Sequence, residues 1–356
     1  FNFTSIGGNL ASAPALMGNT VLWKPASTAV LSAYEIMRIF LDAGLPPGVI
    51  NFVPGDSRIM GEAVLSHPEL GAVNFTGSDV TFRHIWKTVA SNMEEYRNYP
   101  RVVGETGGKD FAVVHGSADI PATATALVRG AFEYQGQKCS ATSRAYVASS
   151  LWEPLFAEMR RQLDRISLGD PENFRHFMGA LIDRKAFRRV QSFLEAAAKS
   201  DAVDLLYGGK AEDRKGYFVE PTVFRTRDPR FLLMEEEIFG PVLTVYVYED
   251  SRYEEVLHLC NETSPYGLTG GIFAKDRCAL ERGKEVLRYA AGNFYVNDKT
   301  TGAVVGQQPF GGGRASGTND KAGSMHNLLR WTSMRTIKEN FAPPGDFAYP
   351  YMEETE

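Results

Sequence analysis

Short apolar runs alternate with helix-like stretches through the first hundred residues, and this order constrains the fold more than any other feature of the sequence. Each run has the length of a strand, and each stretch carries apolar residues near helical spacing. The predicted elements are strands at 19–23, 49–53, 72–76 and 101–103 and helices at 27–41, 59–66 and 82–93. Such an order joins parallel strands through covering helices. We therefore predict an α/β protein whose ligands bind beyond the carboxyl ends of its strands.

The alternation continues past residue 107 and predicts a second unit of the same class. Its predicted elements are strands at 111–114, 144–147, 218–224 and 242–248 and helices at 122–132, 151–166, 184–198 and 253–260. A glycine-rich turn covers 311–317, and 343–356 is predicted to be a peripheral arm. At 356 residues the chain is long enough for two domains, each with its own core.

Charge and composition exclude several kinds of partner. Lys and Arg number 38 against 43 Asp and Glu, a net charge of −5 with both signs scattered along the chain. This mixture argues against nucleic acid or an anionic membrane as a partner, and no apolar run approaches the ~18 residues of a membrane span. Neither the six His residues nor the three Cys residues have metal-ligand spacing, so no metal is predicted.

Two segments carry candidate reactive groups. Cys139 stands in GQKCSA just after a predicted helix, where a cation or backbone N–H groups would raise the fraction of thiolate. Glu105 stands in GETGGK directly after an apolar strand, a position from which a carboxylate reaches a cleft as general base. The alternatives are a buried structural cysteine and a surface glutamate in a turn. The helical positions of Cys260 and Cys278 favour the structural alternative for both.

Three further segments suit a nucleotide. Lys24 in WKP could bond ribose hydroxyls, and Ser78 in FTGS, with the helix that follows, could meet a pyrophosphate. Glu237 in EEEIFGP could accept hydrogen bonds from a sugar, with Phe239 against a flat ring, although three acids before a strand are more often a solvated turn. No G-x-G-x-x-G follows a strand, so the common dinucleotide fingerprint is absent.

The order of these motifs resembles that of the aldehyde dehydrogenase superfamily over residues 1 to about 340. The matching motifs are FNF at 1–3, WKP at 23–25, FTGS at 75–78, ETGGK at 105–109, GQKCS at 136–140, EEIFGPV at 236–242 and PFGG at 309–312. The 34 residues from Glu105 to Cys139 also agree with that family. Segments 98–111, 300–312 and 316–323 are most similar to its mitochondrial 1-pyrroline-5-carboxylate dehydrogenases, as is the closing GDFAYPYM.

The resemblance implies NAD-dependent oxidation of L-glutamate 5-semialdehyde to L-glutamate through a cysteine thioester, in proline degradation. It also implies a homodimer or higher homo-oligomer in the mitochondrial matrix. The alternatives are a dehydrogenase for another aldehyde, a truncated non-catalytic fragment that pairs with other chains, and a cysteine hydrolase. The last needs an activating His, and the nearest in sequence, His115, sits just past a core strand without a triad signature.

The resemblance also assigns roles to individual residues. Cys139 is the nucleophile, Glu105 activates water, and the Asn2 amide with the Cys139 N–H holds the oxyanion. The implied NAD-binding residues are Lys24, Ser27, Gly55, Gly77, Ser78, Glu237 and Phe239. The implied substrate-binding residues are Phe3, Lys138, Ser140, Gly302 and Ala303. Ser27 stands where many NAD-preferring relatives carry an acid, so NADP is not excluded.

The implied domains follow the same alignment of motifs. Residues 1–106 form the C-terminal part of a Rossmann-type, NAD-binding domain with a parallel sheet. Residues 107–308 form an α/β catalytic domain, and 309–356 form a return segment with a C-terminal oligomerisation arm. Residue 1 is Phe and FNF begins in mid-motif, so we expect an N-terminally truncated chain that lacks the first elements of the cofactor domain.

Overall fold

The computed structural model of the chain describes residues 5–304 and 306–352. The α-helices are α1 (Ser5–Leu16), α2 (Val30–Asp42), α3 (Ser57–Leu65), α4 (Asp79–Ser91), α5 (Ile120–Phe132), α6 (Ser149–Leu163), α7 (Arg184–Ala198), α8 (Leu232–Glu235), α9 (Tyr253–Glu262), α10 (Arg277–Val286) and α11 (Met325–Leu329). The strands are β1 (Val21–Trp23), β2 (Ile50–Phe52), β3 (Ala72–Thr76), β4 (Arg101–Glu105), β5 (Asp110–Val114), β6 (Thr142–Ala148), β7 (Val203–Tyr207), β8 (Ala211–Glu212), β9 (Phe218–Val219), β10 (Thr222–Thr226), β11 (Val242–Tyr248), β12 (Tyr266–Gly267), β13 (Thr269–Phe273), β14 (Asn293–Val296) and β15 (Gly313–Arg314). Single 3-10 turns lie at Ser27–Ala29, Glu133–Gly136, Asp250–Arg252 and Pro350–Met352.

A seven-stranded sheet organises the described part of the chain, in the order β14-β13-β5-β6-β11-β10-β7. Neighbouring strands are parallel except β7, which runs antiparallel to β10 at one edge. Parallel strands require crossover connections, and the alternating helices provide them. The α/β class predicted from the sequence is confirmed.

Strand β5 shows why the sheet needs helices on both faces. Ala112 and Val114 pack into one core cluster together with side chains of α5 and α6, whereas Phe111 and Val113 pack into a second cluster with α9 and α10. Because successive side chains of a strand point to opposite faces, a continuous apolar run such as FAVV can be buried only between two layers. All four residues are essentially inaccessible to solvent.

The predicted strands of residues 19–103 form two separate pairs rather than one sheet. Strand β1 pairs in parallel with β2, with Val21 opposite Ile50. Strand β3 pairs in parallel with β4, with Thr76 opposite Glu105. The parallel direction was predicted correctly, but a single sheet was not found among the described residues. The carboxyl end of β4 nevertheless delivers Glu105 to the region described below.

Several element boundaries differ from the prediction. The run 218–224 is two strands, β9 and β10. Pro221 lies between them and has no N–H to donate to a neighbouring strand, so the strand pairing is interrupted there. The helix predicted at 151–166 ends at Leu163. The sequence analysis did not predict α1, which carries Pro14 and poor helix formers, nor α10 and the strands β7, β13 and β14.

The structural role predicted for two cysteines holds for one of them. Cys260 is fully buried on α9, where burial raises its pKa to about 12. Cys278 is exposed in the first turn of α10, so its assignment as a buried structural residue was wrong. Asp276 caps this helix from just upstream and accepts from the Cys278 N–H at 2.8 Å. Position 278 therefore belongs to the solvent-facing start of the helix rather than to its apolar stripe.

A helix that crosses a bilayer must be both long and apolar. None of the described helices combines 18 residues with enough apolar character to cross a membrane.

Candidate active site

Glu105 ends β4 with its side chain half-buried. Burial raises the pKa of its carboxyl to about 7; the positive charge of Lys321 lowers this pKa, and the negative charge of Asp320 raises it. A carboxyl that titrates near neutrality is a suitable general base, because an appreciable fraction is ionised and still accepts protons readily. The strand end that the sequence analysis selected therefore carries a carboxyl with the required acidity.

The segment that follows β15 crosses beside Glu105. Thr318 N–H donates to the Gly104 carbonyl at 2.9 Å, and Thr106 N–H donates to the Ser316 carbonyl at 2.9 Å. Gly317 lies between them at φ +135°, where a side chain would collide with the Gly104 carbonyl. This crossing brings two charged residues of the segment, Asp320 and Lys321, close to the carboxyl.

Lys321 and Asp320 are the functional candidates that the sequence analysis missed. The Lys321 ammonium is held by the carbonyls of Gly292 at 2.7 Å and Gly311 at 2.9 Å. Both residues belong to SGTNDKAG at 316–323, which was recognised as a subfamily match without any role for its charges. The motif was visible in the sequence, but its contact with a residue more than 200 positions upstream was not.

Cys139 follows a turn of unusual backbone conformation at the end of α5. Tyr134, Gln135 and Gly136 all have left-handed φ, at 54°, 57° and 63°. Such a conformation costs energy in non-glycine residues and persists only where the surroundings enforce it. A side chain at position 136 would collide with the Gly240 carbonyl. The turn therefore depends on tertiary contacts to present the cysteine.

Two side-chain amides supply those contacts. Gln135 accepts from the Gly179 N–H at 3.0 Å and donates to the Ala180 carbonyl at 3.1 Å. Gln137 accepts from the Ile182 N–H at 3.1 Å. Together they clamp the turn to the segment that precedes α7.

Cys139 is half-buried as a residue, and its thiol is shielded and has acidic side chains around it. Burial raises its pKa well above the ordinary value, the negative charge of Glu105 and those of Asp110 and Glu237 when ionised raise it further, and its own backbone N–H lowers it. The thiol is therefore protonated at neutral pH and must lose a proton to act as a nucleophile. Glu105 interacts with this thiol strongly enough to shift its pKa.

Lys138, the cation next to Cys139 in sequence, forms an ion pair with Glu133 at 3.0 Å. Its ammonium also lies 5.5 Å from the centre of the Tyr134 ring. These contacts direct the Lys138 ammonium toward the start of the turn. The sequence analysis had considered a cation near Cys139 as a means of raising its thiolate fraction.

The glycines of ETGGK allow close approach. A side chain on Gly107 would collide with the carboxylate of Glu237, and one on Gly108 would collide with the Cys139 carbonyl. With these atoms absent, the Gly108 N–H donates to Glu237 Oε1 at 3.0 Å. The ETGGK motif, the EEIFGPV motif and the turn that leads to Cys139 are therefore in contact with one another.

Two buried charged residues follow those glycines. The Lys109 ammonium donates to Ser143 Oγ at 2.6 Å, and burial lowers its pKa to about 7. Asp110 Oδ1 accepts from the Thr269 N–H at 2.6 Å and from the Thr269 hydroxyl at 2.9 Å. Burial raises the pKa of Asp110 to about 8, which favours a neutral carboxylic acid at this place.

Glu237 and Phe239 flank the same point. Burial raises the pKa of Glu237, against the hydrogen bond from Gly108 and the charges of Arg189 and Lys109, and Asp79 on the first turn of α4 raises it further. Phe239 is exposed and has a left-handed φ of 59°. The interaction between Asp79 and Glu237 indicates that the start of α4 and this acid face a common space.

The other cofactor candidates lie at strand ends and helix starts. Lys24 follows β1 and donates to Ser57 Oγ at 2.9 Å; burial lowers its pKa, and the charge of Asp56 raises it. Ser78 caps α4 and accepts from the Thr81 N–H at 3.2 Å. Its hydroxyl therefore bonds within its own helix, and a ligand at this helix start would be bound by the other backbone N–H groups of the first turn.

Ser27, Gly55 and Gly77 contribute differently. Ser27 is exposed at the start of a 3-10 turn and presents no charge. A side chain at Gly55 would meet nothing within 4 Å, whereas one at Gly77 would collide with the Phe75 ring. Close packing therefore requires glycine at position 77 and not at position 55.

A cavity of about 330 Å³ opens beside the start of α4. It is lined by Asp79, Phe82, Arg83, Trp86, Arg314, Ala315, Gly317 and Thr318. Because Gly317 and Thr318 bond to the strand that ends in Glu105, the cavity adjoins the candidate base.

The substrate candidates lie on two loops. Ser140 is buried, and its carbonyl accepts from the Thr300 hydroxyl at 2.9 Å. Gly302 is exposed at a left-handed φ of 96°, and Ala303 is half-buried. The sequence candidates Asn2 and Phe3 lie outside the described residues.

Histidine and metal chemistry receive no support from the described residues. His115 follows β5 at the opposite end of the strand from Asp110, about 15 Å away along it, and bonds to Ser117 Oγ at 2.9 Å. No group of three or more His, Cys, Asp or Glu side chains in the described part of the chain could hold a metal ion.

The fold and this site define a class of protein. The chain belongs to the aldehyde dehydrogenase family, whose match covers residues 1–337. The delta-1-pyrroline-5-carboxylate dehydrogenases named as mitochondrial are 55% identical over the whole chain in Dictyostelium discoideum and 53% identical over 99% of it in Homo sapiens. The crystal structure of the Mycobacterium tuberculosis Delta-pyrroline-5-carboxylate dehydrogenase bound with NAD is 52% identical over 98% of the chain, with a TM-score of 0.93. The chain spans 64%, 63% and 64% of these three proteins, respectively.

Proposed function

We propose that this chain carries the active site of an NAD-dependent dehydrogenase that oxidises L-glutamate 5-semialdehyde, formed from 1-pyrroline-5-carboxylate, to L-glutamate. The observation that carries the proposal is the Glu105 carboxyl, whose pKa of about 7 suits a base and whose charge acts on the Cys139 thiol. The names of the relatives support the substrate. They also support proline degradation as the process and the mitochondrial matrix as the location.

The first chemical step forms a bond between Cys139 Sγ and the aldehyde carbon. The thiol proton leaves for a base, and the carbonyl electron pair moves to the oxygen. In our proposal the Cys139 N–H and the Asn2 amide stabilise the alkoxide that results. The hemithioacetal can release a hydride from carbon as its oxygen re-forms a double bond, which leaves a thioester on Cys139.

The second step breaks the thioester. Glu105 takes a proton from water as the water oxygen attacks the thioester carbon, and the C–S bond then breaks to return the sulfur as the leaving group. The carboxylate form of Glu105 performs this step. With a pKa of about 7, Glu105 is half ionised near neutral pH, and its carboxylate fraction falls by up to about tenfold for each further pH unit below that value.

The residues at the nucleotide end fit a dinucleotide. An ammonium at the end of β1 and a carboxylate that already accepts a backbone hydrogen bond suit ribose hydroxyls, and the thirteen-residue helix α4 starts with N–H groups suited to a pyrophosphate. The implied contacts are Lys24 and Glu237 to the riboses, the start of α4 at Ser78 to the pyrophosphate and Phe239 beside the nicotinamide. Bound NAD supplies a hydride acceptor.

The choice of NAD rests on relatives as well as on residues. Two solved structures of the Mycobacterium tuberculosis relative are bound with NAD. Ser27 offers no negative charge to repel the 2′-phosphate of NADP, so discrimination must come from other groups. A homodimer or higher homo-oligomer is part of the proposal on the strength of the family resemblance.

The test is NADH formation by the full-length protein with glutamate semialdehyde and propanal measured side by side. We expect kcat/KM to favour the semialdehyde by at least about 100-fold, because backbone donors at Gly302 and Ala303 can pair with its α-carboxylate. Equal values for the two aldehydes would contradict the substrate, and the absence of NADH with both would contradict the activity.

Two variants check the roles within this assay. Cys139→Ser should abolish turnover while NAD still binds, because the nucleophile is lost and the nucleotide end is untouched. Glu105→Gln should give a single burst of NADH and then stall, because the thioester forms but water is not activated. An unchanged steady-state rate in Glu105→Gln would remove Glu105 as the base.

A further inference from the structure

Glu133 lies between two lysines that come from different parts of the chain. Its carboxylate oxygens are both 2.8 Å from the ammonium of Lys299, and one of them is 3.0 Å from the ammonium of Lys138. Glu133 opens the turn that leads to Cys139, which we call the nucleophile turn. Lys299 begins the 299–303 loop, which contains Gly302 and Ala303 and which we call the anchor loop. The three side chains, which we call the 133–138–299 bridge, therefore join the nucleophile turn to the proposed carboxylate anchor.

The three side chains of the bridge are shielded enough from water for their charges to interact strongly with one another. The Lys138, Lys299 and Glu133 side chains are only 11%, 25% and 22% exposed. Burial alone would raise the pKa of Glu133, but hydrogen bonds from Lys299 and Lys138 outweigh it and hold that pKa below its ordinary value. With Glu133 as a carboxylate and both lysines charged, the bridge carries a net positive charge beside the anchor loop.

A second tie joins the same two segments. The Thr300 hydroxyl donates to the Ser140 carbonyl at 2.9 Å and lies 2.8 Å from the Thr142 hydroxyl, and both threonines are buried. The loop from 299 is therefore fixed at its first two residues to the chain on either side of Cys139. Beyond them, Gly302 adopts its left-handed conformation over the Lys299 side chain.

The Lys299 stem supports the loop directly. A side chain at Gly302 would lie 3.1 Å from Lys299 Cε and 3.3 Å from its Nζ, so the glycine backbone rests close to the methylene chain. Loss of the Lys299 ammonium would release this stem from Glu133 and remove the support under the Gly302 peptide. The position of the loop beyond Thr300 thus depends on the Lys299–Glu133 ion pair, which is formed across 166 residues of sequence.

We propose that Lys299 is a positioning residue for substrate choice: through Glu133 it holds the 299–303 loop against the nucleophile turn, so that the aldehyde selected is one that carries a carboxylate. The inference rests on the proposed function and deepens it by adding Lys299 and Glu133 to the anchor. Lys299 touches no reacting atom. It sets the position of backbone donors, and its charge adds to that of Lys138 in favouring an anionic substrate.

The experiment compares Lys299→Met with the unmodified full-length protein on two aldehydes. We expect KM for glutamate semialdehyde to rise about tenfold with kcat changed less than about twofold, because the carboxylate anchor shifts while the thiol and base stay in place. For propanal, which has no carboxylate, kcat/KM should fall by no more than about threefold. Lys299→Arg should restore most of the KM, since it keeps the cation and its bond to Glu133.

The matched control is Lys284→Met. Lys284 forms an ion pair with Glu281 at 2.7 Å on the exposed side of α10, so it loses the same charge and the same kind of bond away from the loop. Its kinetic constants should match those of the unmodified protein. If Lys299→Met does not fold, Glu133→Asp, which keeps every charge and shortens the bridge, should raise the semialdehyde KM by about threefold.

The outcomes separate the two proposals. An equal loss for both aldehydes in Lys299→Met would assign Lys299 a general structural role and overturn the inference. An unchanged KM for the semialdehyde would overturn it as well. If the unmodified protein itself does not prefer the semialdehyde to propanal, the proposed function fails, and the inference fails with it before any variant is measured.

Discussion

The Glu105 carboxyl and the Cys139 thiol illustrate how burial changes two groups in opposite functional directions. Both pKa values are raised, chiefly because each group is shielded from water; negative neighbours add to the shift of the thiol, whereas Lys321 opposes that of the carboxyl. For the carboxyl this improves the base, because its affinity for a proton increases. For the thiol it suppresses the nucleophile until a proton is removed. The two groups are coupled, because the ionised carboxylate raises the pKa of the thiol.

We predict that Lys321 influences the pH at which Glu105 acts as the proposed base. Its positive charge lowers the pKa of Glu105, whereas the negative charge of Asp320 raises it. In Lys321→Met the pKa of Glu105 should therefore rise, and the acid limb of the kcat profile should move to higher pH by about one unit. Steady-state kcat measured from pH 5.5 to 9 checks this expectation.

Lys284→Met again serves as the control for loss of a lysine, and its acid limb should stay in place. An acid limb that stays unchanged or moves to lower pH in Lys321→Met would show that this charge does not govern Glu105.

Among the structural elements, the nucleophile turn depends most on contacts that are distant in sequence. Three consecutive left-handed residues, 134–136, do not persist on local preference. The amides of Gln135 and Gln137 hold them to the segment 179–182. The Cys139 thiol is consequently presented by a backbone that other parts of the fold keep in place.

Gln135→Leu should loosen this turn without removing a reacting group. We expect kcat to fall by about 10- to 100-fold with the Kd for NAD unchanged, because misplacing a nucleophile by about 1 Å is enough for such a loss. Gln162→Leu on α6, where the amide bonds to Thr125 and Glu158, is the matched control and should keep its kcat. Equal kcat values for the two variants would contradict the clamp.

The protein is not uniformly stabilised. Strands β5, β6 and β11 are paired on both sides and packed between two buried clusters, whereas β1 and β2 pair only with each other among the described strands and are partly exposed. Local opening requires less free energy where fewer apolar contacts and hydrogen bonds are lost. The central sheet should therefore open last.

Hydrogen exchange measured by mass spectrometry on the 356-residue chain checks this order. Amides of β5, β6 and β11 should exchange at least about tenfold more slowly than those of β1 and β2. Peptides from the exposed segment 333–341, which has no helix or strand, give the fast reference. Protection of β1 and β2 equal to that of the central sheet would contradict the prediction.

Much of the fold was predictable because its signals are local. Apolar runs and helical spacing predicted elements such as β3, β11 and α7 with the same first and last residues as the structure has. Elements with weak local signals were missed: α1 carries proline and glycine, and β13 is rich in glycine. The run 218–224 was predicted as one strand because the interruption at Pro221 was overlooked. The assigned domain boundaries and site roles remain predictions.

The sequence by itself determined the class of fold and the family, and it supplied the candidates for the reactive groups. These follow from residue order, because ordered motifs such as ETGGK and GQKCS persist in the chain whether or not it is folded. The tertiary structure alone decided how those groups behave. Burial and long-range charges put the Glu105 pKa near 7, the segment after β15 brought Lys321 to it, and Glu133 joined Lys138 to Lys299. Acidity and position depend on neighbours in space, which folding brings together from distant parts of the chain.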